Sequence, residues 1–399
     1  MFSSRLPETL EPNDFTRLLQ AKKAAGEQIF DLTQSNPTKA MFSFEYFQKN
    51  TSFGNCEPYE PSARGMLQAR EAICQYYRDN DHGSCDADDL FLTASTSEAY
   101  SFLLNLLTDP GDELLVPAPS YPLFDFLASL ENVTTAHYGL GLDGDGQWRI
   151  DFESLELMVS SLTKAIVVVN PNNPTGSYIT SEELRRLNAL CQRHKLALIV
   201  DEVFLDYKNP ARPGKPLSLI NNSASLTFTL SGFSKILALP QAKLSWIHVG
   251  GPEALKIEAK DRLEFIADTY LSVGGMIQHG APLMFAGQAA IQQQIMARIE
   301  ANERFLLTQT TLRTHLREGG WYAIIQLPAP ITDEACCLDL LERHSLIVHP
   351  GFFYDFAESS CIVISLITQE TVFRQGLVLL QSYLESCFRQ QSQVPQGWL

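Results

Sequence analysis

What the chain lacks narrows its class before any motif is read. No apolar run approaches the roughly 20 residues that span a bilayer. The start, Met1-Phe-Ser-Ser-Arg-Leu-Pro7, has no apolar core of signal-peptide length, so the expected location is the cytoplasm, with no membrane partner. The eight cysteines show no C-x-x-C spacing, and Cys336-Cys337 are simply adjacent. Neither a metal site nor a disulfide framework is expected, and the thiols read as reduced core residues. Positive charge is scarce: 30 Lys and Arg against 46 Asp and Glu leave a net charge of −16, which argues against nucleic acid or an anionic membrane as partner. A small anionic ligand remains compatible with it, because local charge and backbone donors decide such binding. No linker rich in Gly, Pro or Ser divides the chain, and no repeat is visible.

What is present belongs to a globular protein: 45% hydrophobic and 19% charged residues, over 399 positions, enough for two domains. A helix is expected from about Asp14 to Gly26, then Ile29-Phe-Asp-Leu32 and a turn at Ser35-Asn-Pro-Thr38. Another helix should run from about Met66 to Arg78. From Leu90 the pattern alternates. Leu90-Phe-Leu-Thr93, Glu113-Leu-Leu-Val116, Ala165-Ile-Val-Val-Val169 and Leu196-Ala-Leu-Ile-Val200 read as strands, with helices over Glu98–Leu107 and Ser181–His194. Strands without a polar face that alternate with helices imply a parallel sheet covered on both sides. Past about Glu300, Trp321-Tyr-Ala-Ile-Ile325, Leu346-Ile-Val-His349 and Cys361-Ile-Val-Ile364, with helices around them, suggest a smaller α+β unit.

Two motifs mislead. Gly139-Leu-Gly-Leu-Asp-Gly144 matches the dinucleotide pattern G-x-G-x-x-G, but Asp145-Gly-Gln-Trp-Arg follows where a helix should open, so a turn is expected. Asp143-Gly-Asp145 lacks the later glycine and glutamate of a calcium loop.

The chemistry gathers where strands end. Ser231-Gly-Phe-Ser-Lys235 follows the buried run Ser225–Leu230, and a lysine there can be desolvated, lowering its pKa and freeing the amine to form a Schiff base. Asp201 ends another buried run, and a carboxylate there needs a cation, either a structural partner or a ligand's protonated ring nitrogen. Asn173, in Asn170-Pro-Asn-Asn-Pro-Thr-Gly176, is a turn residue or an amide donor to a ring hydroxyl. Ala94-Ser-Thr-Ser97 opens a helix, either as an ordinary cap or as a phosphate cradle of backbone N–H groups and hydroxyls. Tyr121, in Pro117-Ala-Pro-Ser-Tyr-Pro122, could pack or stack on an aromatic ring.

The ordered set resembles the aspartate aminotransferase superfamily, the fold-type-I class I/II aminotransferases that use pyridoxal 5′-phosphate. The resemblance runs from Ser35-Asn-Pro-Thr38 and Tyr59–Gly65 through Pro110-Gly111, Tyr121, Asn173-Pro-Thr-Gly176, Asp201-Glu-Val and Ser234-Lys235 to His349-Pro-Gly351. It implies an α/β fold with a large cofactor-binding domain over 40–300, its mostly parallel sheet covered by helices. A smaller α+β domain would comprise 1–39 and 301–399. Lys235 would carry the cofactor and the proton transfer, Asp201 would pair with the pyridine nitrogen, Asn173 would contact the 3′-oxygen, and Tyr121 would stack. Ser95, Thr96, Ser97, Ser231 and Lys243 would hold the phosphate. The resemblance also implies a homodimer with shared active sites, with Tyr59 and the Thr269–Ser272 segment reaching a neighbour's phosphate.

Four positions depart from the family pattern. Phe204 stands where a tyrosine usually bonds the 3′-oxygen, Lys243 where arginine is common, and Ser95 where glycine is usual. Cys361-Ile-Val-Ile-Ser-Leu-Ile-Thr368 resembles R-x-S-x-x-T but puts Val363 at the substrate-carboxylate arginine. Arg64 and the segment around Ser35 become the candidates for that grip, with Gln326 offering only a neutral amide. The expected activity is amino-group transfer between an amino compound, an amino acid by preference, and a 2-oxo acid by a ping-pong mechanism. A lyase on the same scaffold, a C–S lyase or an aminocyclopropane-carboxylate-synthase-like enzyme, is the alternative. A non-catalytic regulatory module is a third reading, opposed by the acidity of the chain and by the joint presence of Lys235 and Asp201.

Overall fold

The computed structural model describes residues 12–36, 40–43, 61–212, 217–357 and 360–392. Tyr59 and half of the Ser35–Thr38 turn lie outside the described residues. Helix α1 (Asp14–Ala24) starts at Asn13, whose side-chain oxygen accepts from Thr16 N at 2.8 Å, and the short strand β1 (Phe30–Asp31) follows. Helix α2 (Leu67–Asp79) leads into β2 (Leu90–Thr93), α3 (Thr96–Leu107), β3 (Glu113–Ala118), α4 (Phe124–Leu130), β4 (Thr134–Leu142) and β5 (Trp148–Ile150). Then come α5 (Phe152–Met158), β6 (Thr163–Val169), α6 (Ser181–His194), β7 (Ala197–Asp201), β8 (Thr227–Gly232), the one-turn α7 (Phe233–Ile236) and β9 (Ser245–Gly250). Helices α8 (Glu253–Tyr270), α9 (Gly275–Phe285) and α10 (Gln288–Gln309) precede β10 (Tyr322–Gln326), α11 (Asp333–His344), β11 (Leu346–Ile347), β12 (His349–Pro350), β13 (Cys361–Ser365) and α12 (Glu370–Ser392).

These elements form two compact units. The first, Phe42–Gln293 with Arg317–Gly320, holds an eight-stranded sheet in the order β2-β9-β8-β7-β6-β3-β4-β5. The five strands from β8 to β4 are parallel, and the central pair β6 and β7 are the near-continuous apolar runs that a sheet covered on both faces favours. The parallel expectation fails at the margins. Strand β9 runs antiparallel to both β8 and β2, and β5 runs antiparallel to β4. The reason is the connection: β8 reaches β9 through Phe233–Leu244, which holds only the one-turn α7 and a turn at Pro240–Ala242, with no helix long enough to pack across the sheet as a crossover. Gly139–Gly144 spans the end of β4 and the turn to β5, where Asp143 Oδ1 accepts from Asp145 N and Gln147 N at 2.9 Å, so this stretch is a hairpin turn.

Burial on both faces follows from the period of two. Ala165, Val167 and Val169 join Ala197 and Ile199 in one core cluster, whereas Ile166 and Val168 join Leu198 and Val200 in another. Each buried Val, Leu or Ile among them contributes about 1.5–3 kcal/mol, and each Ala less. The sheet is thereby held rigid exactly where its strand ends must present polar groups. The second unit, formed by the described residues up to Met41, Gln294–Leu316 and the chain from Trp321 onward, contains the three-stranded sheet β10-β13-β12 and the parallel pair β1-β11.

Candidate active site

Three neighbouring parallel strands deliver the polar groups at their carboxyl ends, beside the point where the strand order passes from β6 to β3. Strand β6 runs into Asn170–Asn173, β7 stops at Asp201, and β8 stops at Ser231-Gly232, followed at once by α7 with Lys235. The ends are laced together. Asn170 N donates to Asp201 O at 2.8 Å, and Glu202 N donates to Leu230 O at 2.8 Å. Gly232 pairs with Ser245, and a Cβ on it would fall 2.2 Å from Ser245 Oγ, so only glycine lets the β8 end approach β9. Gly176, at φ +74, closes the Asn173-Pro-Thr-Gly turn against Gly319 O.

Asp201 and Lys235 form the electrostatic centre. Asp201 is 8% exposed, and burial pushes its carboxyl up to about 6. Bonds from Val203 N at 3.1 Å and Tyr100 Oη at 3.5 Å, with the Lys235 charge, act the other way. Lys235 is half-buried, and desolvation lowers its amine to about 8, the Asp201 charge opposing. The Lys235 Nζ stands 5.4 Å from the centroid of the Phe204 ring, while its backbone carbonyl accepts from Tyr207 Oη at 2.5 Å. Helix and ammonium are thus held separately, one by hydrogen bonding and the other by an aromatic face.

Ser95 is the N-cap of α3: its Oγ accepts from Glu98 N at 3.1 Å, and the Glu98 carboxylate accepts from Ala94 N at 2.6 Å. The N–H groups of Thr96 and Ser97 have no acceptor within the helix by its construction, and both residues are partly exposed. Ser231 is buried, its hydroxyl 3.4 Å from Glu202 O. Lys243 is exposed, in left-handed conformation, and the bond from Phe233 N to Leu244 O keeps it beside the β8 end. Asn173 is buried, and its Oδ1 has no hydrogen-bond partner among the described residues. Tyr121 is 41% exposed and meets Phe124 edge-on at 6.4 Å, and Phe124 meets Tyr100 at 5.4 Å.

The family model of the class I and II aminotransferases matches residues 29–374. The chain belongs to this family. It is 29% identical to an alanine aminotransferase of Mycobacterium tuberculosis over 350 residues, covering 82% of this chain and 79% of that one. It is 27% identical to a glutamate-pyruvate aminotransferase of Haemophilus influenzae over 344 residues, covering 81% and 83%. In fold it is similar to an alanine aminotransferase from Pyrococcus furiosus, with a TM-score of 0.86 at 20% identity over 97% of this chain and all of that one. The protein is accordingly an enzyme, an aminotransferase of the aspartate aminotransferase-like fold.

The structure gives several of the expected residues partners of their own. Arg64, offered as a carboxylate grip, is already engaged within its own unit. Its Nε and Nη2 donate to Glu264 at 2.9 and 2.5 Å, its Nη1 donates to Asp88 O, and it lies over the Phe91 ring. Ser272, in the segment expected to serve a neighbour's phosphate, donates to Glu98 at 2.6 Å. In the second unit Val363 is buried in β13, its register partners being Ile324 and His349, and Gln326 ends β10 exposed. Tyr59 lies outside the described residues.

Two groups escaped the sequence reading. Tyr100 reaches Asp201 from the cradle helix, and only its position one turn after Thr96 hinted at it. Glu202 is 1% exposed, and burial pushes it up to about 7, against bonds from Leu219 N at 2.8 Å, Ser218 Oγ at 2.7 Å and Asn170 Nδ2 at 3.3 Å. It ties the ends of β6, β7 and β8 to the chain beyond them. Its adjacency to Asp201 was the signal available.

Proposed function

We propose that the chain uses pyridoxal 5′-phosphate at the carboxyl ends of β6, β7 and β8 to move an amino group between an amino acid and a 2-oxo acid in two half-reactions. The observation that carries this is the Lys235–Asp201 pair, a half-buried amine and a buried carboxylate whose pKa values desolvation draws toward each other at adjoining strand ends. The residues fit the group. Asp201, raised by desolvation, is suited to a protonated ring nitrogen, and Asn173, with its amide oxygen unpartnered, can turn its amide toward a ring hydroxyl. Thr96 and Ser97 at the α3 N-terminus, with Ser95, Ser231 and Lys243, supply donors for a phosphate. Tyr121 offers an exposed ring face for stacking. The bound cofactor supplies an electron sink for the pair released at the substrate's α-carbon.

The chain's own residues do the rest. With its pKa near 8, about one Lys235 amine in ten is neutral at pH 7, against fewer than one in a thousand for an ordinary lysine, so Lys235 can accept and return a proton. Asp201 holds negative charge where a cation forms, with Tyr100 fixing the carboxylate. Large-domain limits at 40–300, a small domain of 1–39 and 301–399, a cytoplasmic homodimer and a contribution of Tyr59 to its neighbour complete the reading. The relatives' names make alanine, glutamate and pyruvate the first compounds to try. A half-reaction screen tests it: yellow, cofactor-loaded protein is mixed with single amino acids and the loss of the lysine-bound absorbance is followed. Stoichiometric conversion to the 2-oxo acid of the amino acid added, without release of ammonia, supports transfer. Continued release of ammonia without an added 2-oxo acid would replace it with a lyase.

A further inference from the structure

Two thiols far along the chain from Lys235 meet without being bonded. Cys74 is buried on α2, and Cys85 lies half-buried in the loop between α2 and the turn Ala87–Asp89. The Cys85 thiol donates to Cys74 Sγ with 2.8 Å between the sulfurs. A disulfide is about 2.05 Å long, so closure asks each pair of sulfurs to approach by only about 0.75 Å.

The loop that brings them together is pinned on several sides. Asn80 Nδ2 donates to Tyr76 O at 2.9 Å, the His82 Nε2 lies 2.6 Å from Asp206 Oδ1, and Ser84 N donates to Asn221 Oδ1 at 3.3 Å. Gly83, at φ +130, lies where a Cβ would fall 2.7 Å from Ile220 and Asn221 side-chain atoms. The scaffold therefore sets the sulfur contact. The Cys85 hydrogen bond lowers the Cys74 pKa, burial opposing and Arg78 and Arg70 assisting, whereas the same bond and burial raise the Cys85 thiol, so at rest the proton lies on Cys85.

We propose that Cys74 and Cys85 are a modification site that closes reversibly to a disulfide on reaction with a small-molecule disulfide of the glutathione class. Once the pair has lost one proton, transfer of the remaining one along the hydrogen bond from Cys85 to Cys74 puts the negative charge on the half-buried Cys85 sulfur, the less enclosed of the two, which attacks one sulfur of the oxidant; the other leaves as a thiolate. Cys74, losing its proton, then attacks Cys85 Sγ and expels the second oxidant thiolate. Two protein S–H bonds and one oxidant S–S bond are lost. One protein S–S bond and two oxidant thiols appear, the two protons passing to the departing thiolates. The bridge closes residues 74–85 into a ring just upstream of β2 and the α3 cradle, removing freedom from the unfolded chain. A labile bridge of this kind leaves the other cysteines as thiols and needs no change of compartment.

The test is a thiol map of the intact wild-type protein. Reduced protein is incubated with glutathione disulfide, its remaining thiols are alkylated, and the digest is read by mass spectrometry. Two thiols per chain should be lost, with one peptide joining Cys74 to Cys85. The Tm should rise by about 2–4 °C, the shift that about 1 kcal/mol produces in a domain of this size, and return on adding dithiothreitol. Cys85→Ser should give no such peptide and no oxidant-dependent rise in Tm. Glutathione retained on Cys85 with Cys74 alkylated, a bridge from either residue to another cysteine, or both thiols unchanged would overturn the proposal. The map needs no variant, so a folding defect in Cys85→Ser does not rescue it.

Discussion

Strand β7 of the first unit ends in Asp201 and β8 leads directly into Lys235, whereas β13 of the second is apolar from Cys361 to Ile364. Both regions are buried, so the contrast is one of chemistry. At the first, burial works against the residues it encloses: Asp201 is raised to about 6 and Lys235 is lowered to about 8, each made less charged than in water. At the second, Val363 is 1% exposed between Ile324 and His349 and burial simply stabilises it. On the proposed function, the reaction centre and the substrate grip would be separable, with Lys235 and Asp201 serving the one and Val363 departing from the usual form of the other.

The most damaging way to break the comparison is to remove the amine. Lys235→Ala should abolish borohydride-trappable cofactor and lower turnover by at least about 10⁴-fold, since the same group carries cofactor and proton. Trapping followed by peptide mapping checks it. A label on Lys243 or Lys208 would move the chemistry elsewhere.

Asp201→Asn comes next and cuts two ways. Turnover should fall by about 10²–10³-fold, the usual cost of losing a preorganised electrostatic contact. Stability of the cofactor-free protein should rise. The folded carboxyl holds its proton up to about pH 6 and the unfolded one only to about 3.8, so the folded state binds more protons between those values and loses stability as pH climbs through them. That loss, on the order of 3 kcal/mol at most, persists above pH 6 and is absent in the amide. The Tm of Asp201→Asn should exceed that of the wild type at pH 7.5 and converge with it below about pH 4. A variant less stable than wild type at pH 7.5 would show that the carboxylate is a structural partner instead.

The β13 side of the comparison predicts a smaller effect, on specificity. With Val363 in place and Arg64 bound to Glu264, aspartate and 2-oxoglutarate should react with a kcat/KM below about 10⁴ M⁻¹ s⁻¹, the low end of ordinary enzymes, and at least tenfold below the best donor found by the half-reaction screen. Steady-state kinetics decide it, and a higher value would require another cation at the grip.

How far these regions could be read from the sequence follows from the range of the interactions that make them. Ala165–Val169 and Leu196–Val200 announce themselves because every residue is apolar, and Lys235 and Asp201 stand out as ionisable groups directly after such runs. Strand β9 does not: Ser245-Trp-Ile-His-Val-Gly250 mixes polar and apolar residues, yet all are buried because β2 and β8 flank it and Trp246 Nε1 finds Tyr77 Oη at 3.1 Å. Strand β4, Thr134–Leu142, is half-exposed and carries two glycines, so neither period nor hydrophobicity marks it. Arg64 looked available because Glu264 is 200 residues away. Local pattern revealed the centre of the sheet and its strand ends; pairings across the chain decided the margins.

The subtlest test concerns Phe204, where the two sides of the comparison meet in one residue: an apolar side chain placed at the reaction centre. Its ring is 3% exposed, 5.4 Å from Lys235 Nζ, and 6.5 Å from the Tyr207 ring, whose hydroxyl is occupied by Lys235 O. On the proposed function, Tyr207 would not replace the missing hydroxyl while that bond holds, which would leave Asn173 as the donor for a ring oxygen. Phe204→Tyr adds a donor on the same ring without removing the face presented to Lys235. A hydrogen bond donated to an oxyanion favours its deprotonated form, so the pH midpoint of the lysine-bound cofactor's absorbance should move down. Turnover should change by less than about tenfold, because the amine and the carboxylate are untouched. A spectrophotometric pH titration of both proteins measures it. An unmoved midpoint would mean that the added hydroxyl does not reach the ring oxygen, and that Phe204 serves the ammonium rather than the space a tyrosine would fill.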